Sequence, residues 1–489
     1  MNPCQSVWTT CWSRGRLQEI EVQVLVRKGL SRFDIIGLPE NVIREGRDRI
    51  LSALHHLGLP LHNQKILVSL NPAEIPKEGA HFDLPILVGL LMGLGHYLIP
   101  PHEKRFFWGE LRLDGKIQSP KAILSHLLFA AQKNSSSLWL NTQDIHSPIF
   151  SKTSLYHLQS ISDLLSDLNP QKTSSLETQS TGEDWIKKLP SSSIWNQLRG
   201  DRDQFLIFAL AAIGRHHLLL EGSPGVGKST WCLAFREILP PLSEDLWRER
   251  VQAAPLFLPS DLDNSMTGFQ SPFESPHSSS SVQAVVGGGS KRIDPGAITR
   301  AHQGVLFLDE IPEFARGVRE CLRQPLEMKS ISIARGGVAA QLPADFQLLA
   351  TMNPCACGYF ESPRRCECSA TQLQNYRGRI SGPLLDRIHF YLWWQFIDQP
   401  IPEEFSLLCL RARIQEARHR SPPQIDVDLI PQVLAPRRRR LWRDIFDSWC
   451  RFYGVDHATE KEARDFREFY DKIQAENLKA QNKRIAAKL

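Results

Sequence analysis

Cysteine is scarce in this chain. Ten cysteines in 489 residues, four of them bunched between Cys355 and Cys368, are too few and too uneven for a disulfide framework and predict a reducing, cytoplasmic setting. A long apolar run is also missing. The most apolar stretch, Leu84 to Leu98, covers 15 residues and includes Pro85, three glycines and His96. A spanning helix needs about 18 to 20, so a membrane span is excluded. A buried core helix is predicted instead, with Asp83 as its N-cap and Pro85 in its first turn. Met1 to Ser6 lack the basic start and apolar core of a secretory signal, and none is predicted. The charge imbalance is slight, +5 with a pI near 8.6, which permits a polyanionic partner without requiring one. No single ordinary core absorbs this length, so two to four domains are expected.

What the chain does have is a phosphate-binding pattern. Gly222 to Ser229 fits G-x-x-x-x-G-K-[ST]. His217 to Glu221, ahead of it, is an apolar run of strand length; Thr230 to Leu239, behind it, has helical spacing and stops before Pro240 and Pro241. Strand, glycine turn and helix N-terminus aim backbone N–H groups and a positive dipole end at one point, which suits a polyphosphate. Gly222, Ser223, Pro224, Gly225, Val226, Gly227, Lys228, Ser229 and Thr230 are the candidate ATP-binding residues. Lys228 is placed to reach the β- and γ-phosphates, and the Ser229 hydroxyl to ligate Mg²⁺.

Residues 1–168 read as one α/β domain. Leu17 to Val26 alternates with period two, Phe33 to Gly37 and Lys65 to Leu70 are further strands, Asn41 to Gly58 is a helix, and Arg105 to Gly115 is a strand running into an Asp-Gly turn. Polar, aperiodic sequence from Gln171 to Glu183 marks a linker over 169–190. A nucleotide-binding domain follows over 191–398, with Asp201 to Ile213 as a helix ahead of the loop strand. Within it, Ser275 to Arg292 is rich in serine and glycine and is expected as a surface loop. It either carries no ligand or faces a polymer whose phosphates Lys291 and Arg292 touch. A helical domain occupies 399–489.

A second motif lies about eighty residues beyond the phosphate loop. Gly304 to Glu310 is an apolar strand ending in two acids, which puts Asp309 beside the Mg²⁺ shell and Glu310 where it polarises an attacking water. Two short strands around Gly336 and Gly337 predict a hairpin. Phe346 to Met352 is another buried strand and delivers Asn353 at its tip, suited to orienting that water. Cys355, Cys357, Cys366 and Cys368 form C-x-C-x₈-C-x-C, either a tetrahedral site for structural Zn²⁺ or four reduced thiols. Arg387, at a helix end, is either an arginine finger on a neighbour's nucleotide or the partner of a local acid. The basic run Arg437 to Arg443 is either a solvated helix face or the start of a helix lying over the nucleotide.

Taken together, these strings resemble the magnesium-chelatase-like AAA+ ATPases of the ComM/YifB competence-protein family. The resemblance is carried by Phe33 to Gly89, Gly222 to Lys228, Pro272 to His277, Gly287 to Ser290, Ala301 to Glu310, Leu322 to Glu327, Met352 to Gly358 and Ile380 to Arg387. It implies an α/β fold: an AAA+ P-loop core, a hairpin insert, a C-terminal helical lid and an N-terminal domain like that of Lon proteases. The segment Asn71 to Pro85 resembles the one that carries the Lon serine nucleophile, but His81 stands in its place, so the domain is expected to be non-catalytic. The resemblance further implies a homo-hexameric ring that hydrolyses ATP and acts on DNA, with Asn353 as first sensor, Arg387 as arginine finger and Arg437 as second-sensor arginine. Ala435 replaces the family's usual serine. His277 is followed by Ser278 rather than a second histidine, and Ser271 and Glu274 replace basic residues. Two other readings follow from the same motifs: a chelatase-type ATPase that remodels a protein partner, and a nucleotide-gated scaffold.

Overall fold

The computed structural model describes residues 4–486 apart from 14–15, 38–39, 62, 76, 78, 101, 121–122, 134–136, 142–153, 166–192, 253–269, 289–293, 336–337, 361 and 432–433. The chain divides into two compact units, Met1–Gln179 with Glu244–Gly268, and Ser180–Ser243 with Phe269–Leu489. The expected linker at 169–190 lies outside the described residues.

The first unit is built on a hairpin of β1 (Gln5–Ser13) and β2 (Arg16–Lys28). Along β2 the side chains of Val22, Val24 and Val26 are buried while those between them are half-exposed, the period-two signature of a strand with one face on a core. β3 (Arg32–Ile36) runs parallel to β4 (Gln64–Asn71), and β4 runs antiparallel to β2. Beyond β1 come β5 (Arg105–Phe107), the ribbon β6 (Glu110–Leu111) with β7 (Ile117–Gln118), then β8 (Ser137–Leu140) and β9 (Ser154–His157). The seven-stranded sheet has the order β3-β4-β2-β1-β5-β8-β9.

The expected apolar helix is present as Asp83–Gly93, with every residue buried, and it packs on β1 and β2. Glycine lets it sit that close: a methyl on Gly89 would lie 2.5 Å from Val24 Cγ2, and one on Gly93 2.6 Å from Val26 Cγ2. It is shorter than the apolar run, because Gly95 turns left-handed (φ 84) and ends it. Asp83 is not its N-cap. That position is Phe82, without a side-chain cap, and the Asp83 carboxylate instead accepts from Arg49 Nε at 2.6 Å. Burial pushes Asp83 up to about 6 against the pull of Arg49.

His81 is buried and structural. Its Nε2 lies 3.0 Å from Thr10 O, while Trp108 Nε1 donates to Thr10 Oγ1 (2.9 Å), which in turn contacts His126 Nδ1 (2.7 Å). Strand β1, which supplies Thr10, has no period-two apolar pattern to announce it. The helix Glu244–Gln252 completes this unit, packing on Ile123–Ala131 with Trp247 buried.

The second unit holds β10 (Leu218–Glu221), β11 (Phe273–Glu274), the pair β12 (Gly287–Gly288) and β13 (Asp294–Pro295), β14 (Val305–Leu308), the hairpin β15 (Ser330–Arg335) and β16 (Val338–Pro343), β17 (Gln347–Met352) and β18 (Phe390–Trp393). Five of these form an all-parallel sheet in the order β11-β14-β17-β10-β18. Every residue of β10, β14 and β17 is buried, as in strands covered on both faces.

The segment Ser275–Arg292 is not one irregular loop. Ser281 caps a short helix, Val282–Val286, with its Oγ accepting from Ala284 N (3.1 Å), and β12 follows directly. Serine serves there as a helix cap. Lys291 and Arg292 lie outside the described residues.

The C-terminal region is helical, as expected: Leu407–His419, Pro436–Tyr453 and Glu460–Ala486. Trp442, Phe446 and Phe466 share one continuous apolar core with Phe205, Phe208 and Trp231. Among the described residues no helix is long and apolar enough to cross a membrane.

Candidate active site

Register fixes where the loops emerge. Glu221 pairs with Met352, and Leu308 with Ala350, so β10, β14 and β17 all finish at one edge of the sheet, where parallel α/β sheets place their ligands. Gly222 to Gly227 leave from β10, Asp309 and Glu310 from β14, Asn353 from β17.

The loop depends on its glycines. Gly225 (φ 82) and Gly227 (φ 88) are left-handed, a region that β-carbons resist. A methyl at Gly222 would meet Trp394 O at 2.3 Å. Pro224 is in turn met by the loop beyond β17, because a methyl at Gly358 would lie 2.6 Å from its Cγ. The helix Lys228–Ile238 starts at Gly227 with no side-chain cap, so its first-turn amides keep their hydrogen-bonding capacity for an anion.

Lys228 Nζ bends back onto this loop, donating to Gly222 O (2.7 Å), Ser223 O (2.9 Å) and Asn353 Oδ1 (3.2 Å). Burial lowers its pKa, while Asp309 and Glu310 oppose that shift. Ser229 Oγ donates to Asp309 Oδ1 at 2.7 Å. Asn353 Nδ2 donates to Glu310 Oε1 at 3.2 Å. Loop lysine, helix serine, strand-end acids and Asn353 thus form one connected set. Its donors and free first-turn amides fit a polyphosphate, and its Ser229–Asp309 pair fits a divalent cation.

One member, Thr351, belongs to no motif in the sequence. It sits in a fully buried strand whose other polar residue is Gln347. Its hydroxyl donates to Asp309 and accepts from Glu310 N at 2.9 Å, holding both acids from behind. A lone hydroxyl two positions before Asn353 was the only available hint.

Arg387 and Arg437 lie together elsewhere, both paired with Glu327. Arg387 therefore has a local acid, but Glu327 rather than Asp386. No contact joins Arg437 to Gly222–Thr230 among the described residues.

The four cysteines meet in space. Cys355 Sγ lies 3.4 Å from Cys357 and 3.7 Å from Cys366, Cys357 lies 3.5 Å from Cys366, and all four sulfurs fall within 4.8 Å of one another. These separations are far too long for a disulfide. They approach the ~3.8 Å sulfur–sulfur edge of a tetrahedron with zinc–sulfur bonds near 2.3 Å. Burial pushes Cys355 up to about 12. Burial also opposes ionisation of Cys357, but the amides of Tyr359 and Glu367 and the neighbouring thiols hold it down at about 6. The quartet can hold a metal ion.

A five-stranded parallel sheet with the phosphate-loop strand separated from the acid-bearing strand by the Asn353 strand, together with this site, defines an ATPase of the AAA+ class. Comparison with known proteins agrees. The profile for magnesium chelatase, subunit ChlI, matches residues 195–399, and that for subunit ChlI of Mg-chelatase matches 21–144. The competence protein ComM of Haemophilus influenzae is 35% identical over 371 residues, covering 75% of this chain and 72% of that one. YifB of Escherichia coli is 32% identical over 380 residues, covering 76% and 72%. A shorter stretch of 115 residues is 31% identical to the DNA replication licensing factor mcm6 of Dictyostelium discoideum, covering 24% and 12%. The chain belongs to the magnesium-chelatase-like ComM/YifB family.

Proposed function

We propose that this chain is an ATP-driven motor that works on DNA as a homo-hexameric ring in the cytoplasm, in branch migration or helicase-type steps of recombination. The observation that carries the reading is the connected set at the sheet edge: Lys228 to Asn353 to Glu310 on one side, Ser229 to Asp309 on the other. Gly222 to Thr230 bind the ATP phosphates, and Lys228 exchanges its loop carbonyls for them. Ser229 and Asp309 hold Mg²⁺, which when bound neutralises phosphate charge. Glu310 takes the proton of the attacking water, and Asn353 keeps that carboxylate aimed. Arg387 acts on the neighbouring subunit's nucleotide, as does Arg437. Cys355, Cys357, Cys366 and Cys368 hold a structural Zn²⁺. The 1–168 region is a non-catalytic Lon-like domain, 191–398 the ATPase domain apart from the helix Glu244–Gln252, which packs with the first unit, and 399–489 the lid.

DNA enters because the chain is similar both to a competence protein and to a DNA replication licensing factor. The test is the ATPase rate with and without single-stranded, double-stranded and branched DNA, over a range of salt. Stimulation that fades as salt rises is expected, since phosphate contacts release counterions. A rate indifferent to all three would sink the DNA reading and leave the ATPase.

A further inference from the structure

We infer that Glu327 is a positioning residue for ATP hydrolysis: one carboxylate that gathers Arg387 and Arg437 into a single cationic pair and presents both to the phosphates held by the adjoining subunit. This rests on the reading that Arg387 acts on a neighbour's nucleotide. The two arginines come from distant parts of the chain, 60 and 110 residues from Glu327. Arg387 Nη2 donates to Glu327 Oε2, and Arg437 Nη2 to Oε1 at 2.7 Å, so each guanidinium takes its own oxygen. Like charges this close repel, and the shared carboxylate is what makes their proximity tolerable. Arg387, and then Arg437, hold Glu327 below the usual carboxylate range.

Two positive charges against one negative leave the cluster net cationic. The Arg387 side chain is only 13% exposed, it also donates to Pro383 O, and its buried Nε has no partner among the described residues. The contacts with Glu327 and Pro383 hold the guanidinium at two points, so its orientation is fixed before any anion meets it. Glu327 also has a mechanical position. It lies in the short helix Pro325–Met328, followed by left-handed Lys329 (φ 55) and then β15. Arginines drawn onto a neighbour's phosphates therefore tug on the root of the β15–β16 hairpin.

The test uses full-length chains. Glu327→Ala is expected to lower kcat roughly 10- to 100-fold, the scale of a misplaced catalytic group, with the KM for ATP changed less than about threefold because its own loop is intact. Glu327→Asp is expected to recover most of the rate. Subunit mixing locates the effect. Lys228→Ala subunits keep their arginines but lack a working loop, so adding them to Glu327→Ala subunits restores hydrolysis if Glu327 acts across the interface. Arg387→Ala mixed with Lys228→Ala is the companion measurement. Restoration there but not with Glu327→Ala overturns the assignment of Glu327 alone. Failure of both mixtures overturns the trans reading of Arg387 and this inference with it. An Asp variant as slow as the Ala variant, with a parallel loss of thermal stability, reduces Glu327 to a structural ion pair.

Discussion

Thr351 is the residue on which both acids lean. Its hydroxyl is the partner of Asp309 and of the Glu310 amide, and Glu310 needs that anchor because its backbone is left-handed (φ 54). A non-glycine residue there stores about 1 to 3 kcal/mol, retained only when its surroundings over-determine it. Thr351→Val keeps the shape and removes the hydroxyl, taking away the acceptor of the Glu310 amide and the donor to Asp309. The expected result is a kcat at least about tenfold lower, with the KM for ATP nearly unchanged, and Thr351→Ser retaining most of the rate. Steady-state kinetics of the two variants decide it. Glu310→Gln should retain nucleotide and lose about 10²-fold or more in rate, the share of a general base; a Gln variant hydrolysing as fast as wild type would remove Glu310 from the mechanism. Residues of this site differ in how visible they are in sequence. Gly222 to Thr230, Asp309, Glu310 and Asn353 each announce themselves within a contiguous string at a strand end. Thr351 and Glu327 do not, since their roles exist only through partners about 40 to 110 residues away.

Elements are legible where apolar residues alternate, as along β2, or run almost unbroken, as in β10, β14 and β17. β1 is not, being built from serine, threonine, cysteine and tryptophan, and β12 follows a helix whose cap is a serine in a run taken for a loop. The buried helix Asp83–Gly93 gives a sharp test of packing: Gly89→Ala places a methyl 2.5 Å from Val24 Cγ2. Overpacking of this kind costs about 1 to 3 kcal/mol, outweighing the gain in helix propensity, and Val24→Ala should recover part of it in urea unfolding. The same unit should respond to pH. Burial lowers His81 to about 4 and His126 to about 3, from an ordinary 6.5. The unfolded chain therefore binds more protons below pH 6.5, so stability is full above that pH and falls as pH drops toward 4. Asp83, raised to about 6 from 3.8, works the other way over part of this window, but one carboxyl is outweighed by two more strongly shifted imidazoles. A lower urea midpoint at pH 5 than at pH 7, with the gap narrowed in His81→Gln/His126→Gln, is the expected outcome. In the other unit, the cysteine loop covers Pro224 through Gly358. About one zinc per chain is expected by elemental analysis. Cys357→Ser or Cys366→Ser should lose it and raise the KM for ATP by loosening the cover on the phosphate loop.

At the scale of the whole molecule, the decisive feature is that, among the described residues, no contact joins Arg387 or Arg437 to Gly222–Thr230. Lys228, Ser229, Asp309, Glu310 and Asn353 form a connected set, while Arg387 and Arg437 are joined to Glu327. If Arg387 and Arg437 act on a neighbour's nucleotide as proposed, an isolated subunit lacks the cations that stabilise charge on the transferred phosphoryl group, a contribution of about 10³- to 10⁵-fold in comparable enzymes. On the proposed reading hydrolysis depends on assembly, and assembly on mass action. The specific ATPase rate of wild type, per subunit, should fall as the protein is diluted through its assembly range and rise again on adding Lys228→Ala subunits, which contribute arginines without hydrolysing anything. Arg387→Ala/Arg437→Ala should be slow and insensitive to dilution, because its assembled and isolated states lack the same groups. Mass measured by light scattering with ATP present should track the wild-type rate over the same concentrations. A wild-type rate per subunit that stays constant down to concentrations where the mass is monomeric would mean that one chain completes its own site, and the ring would then serve the DNA rather than the chemistry.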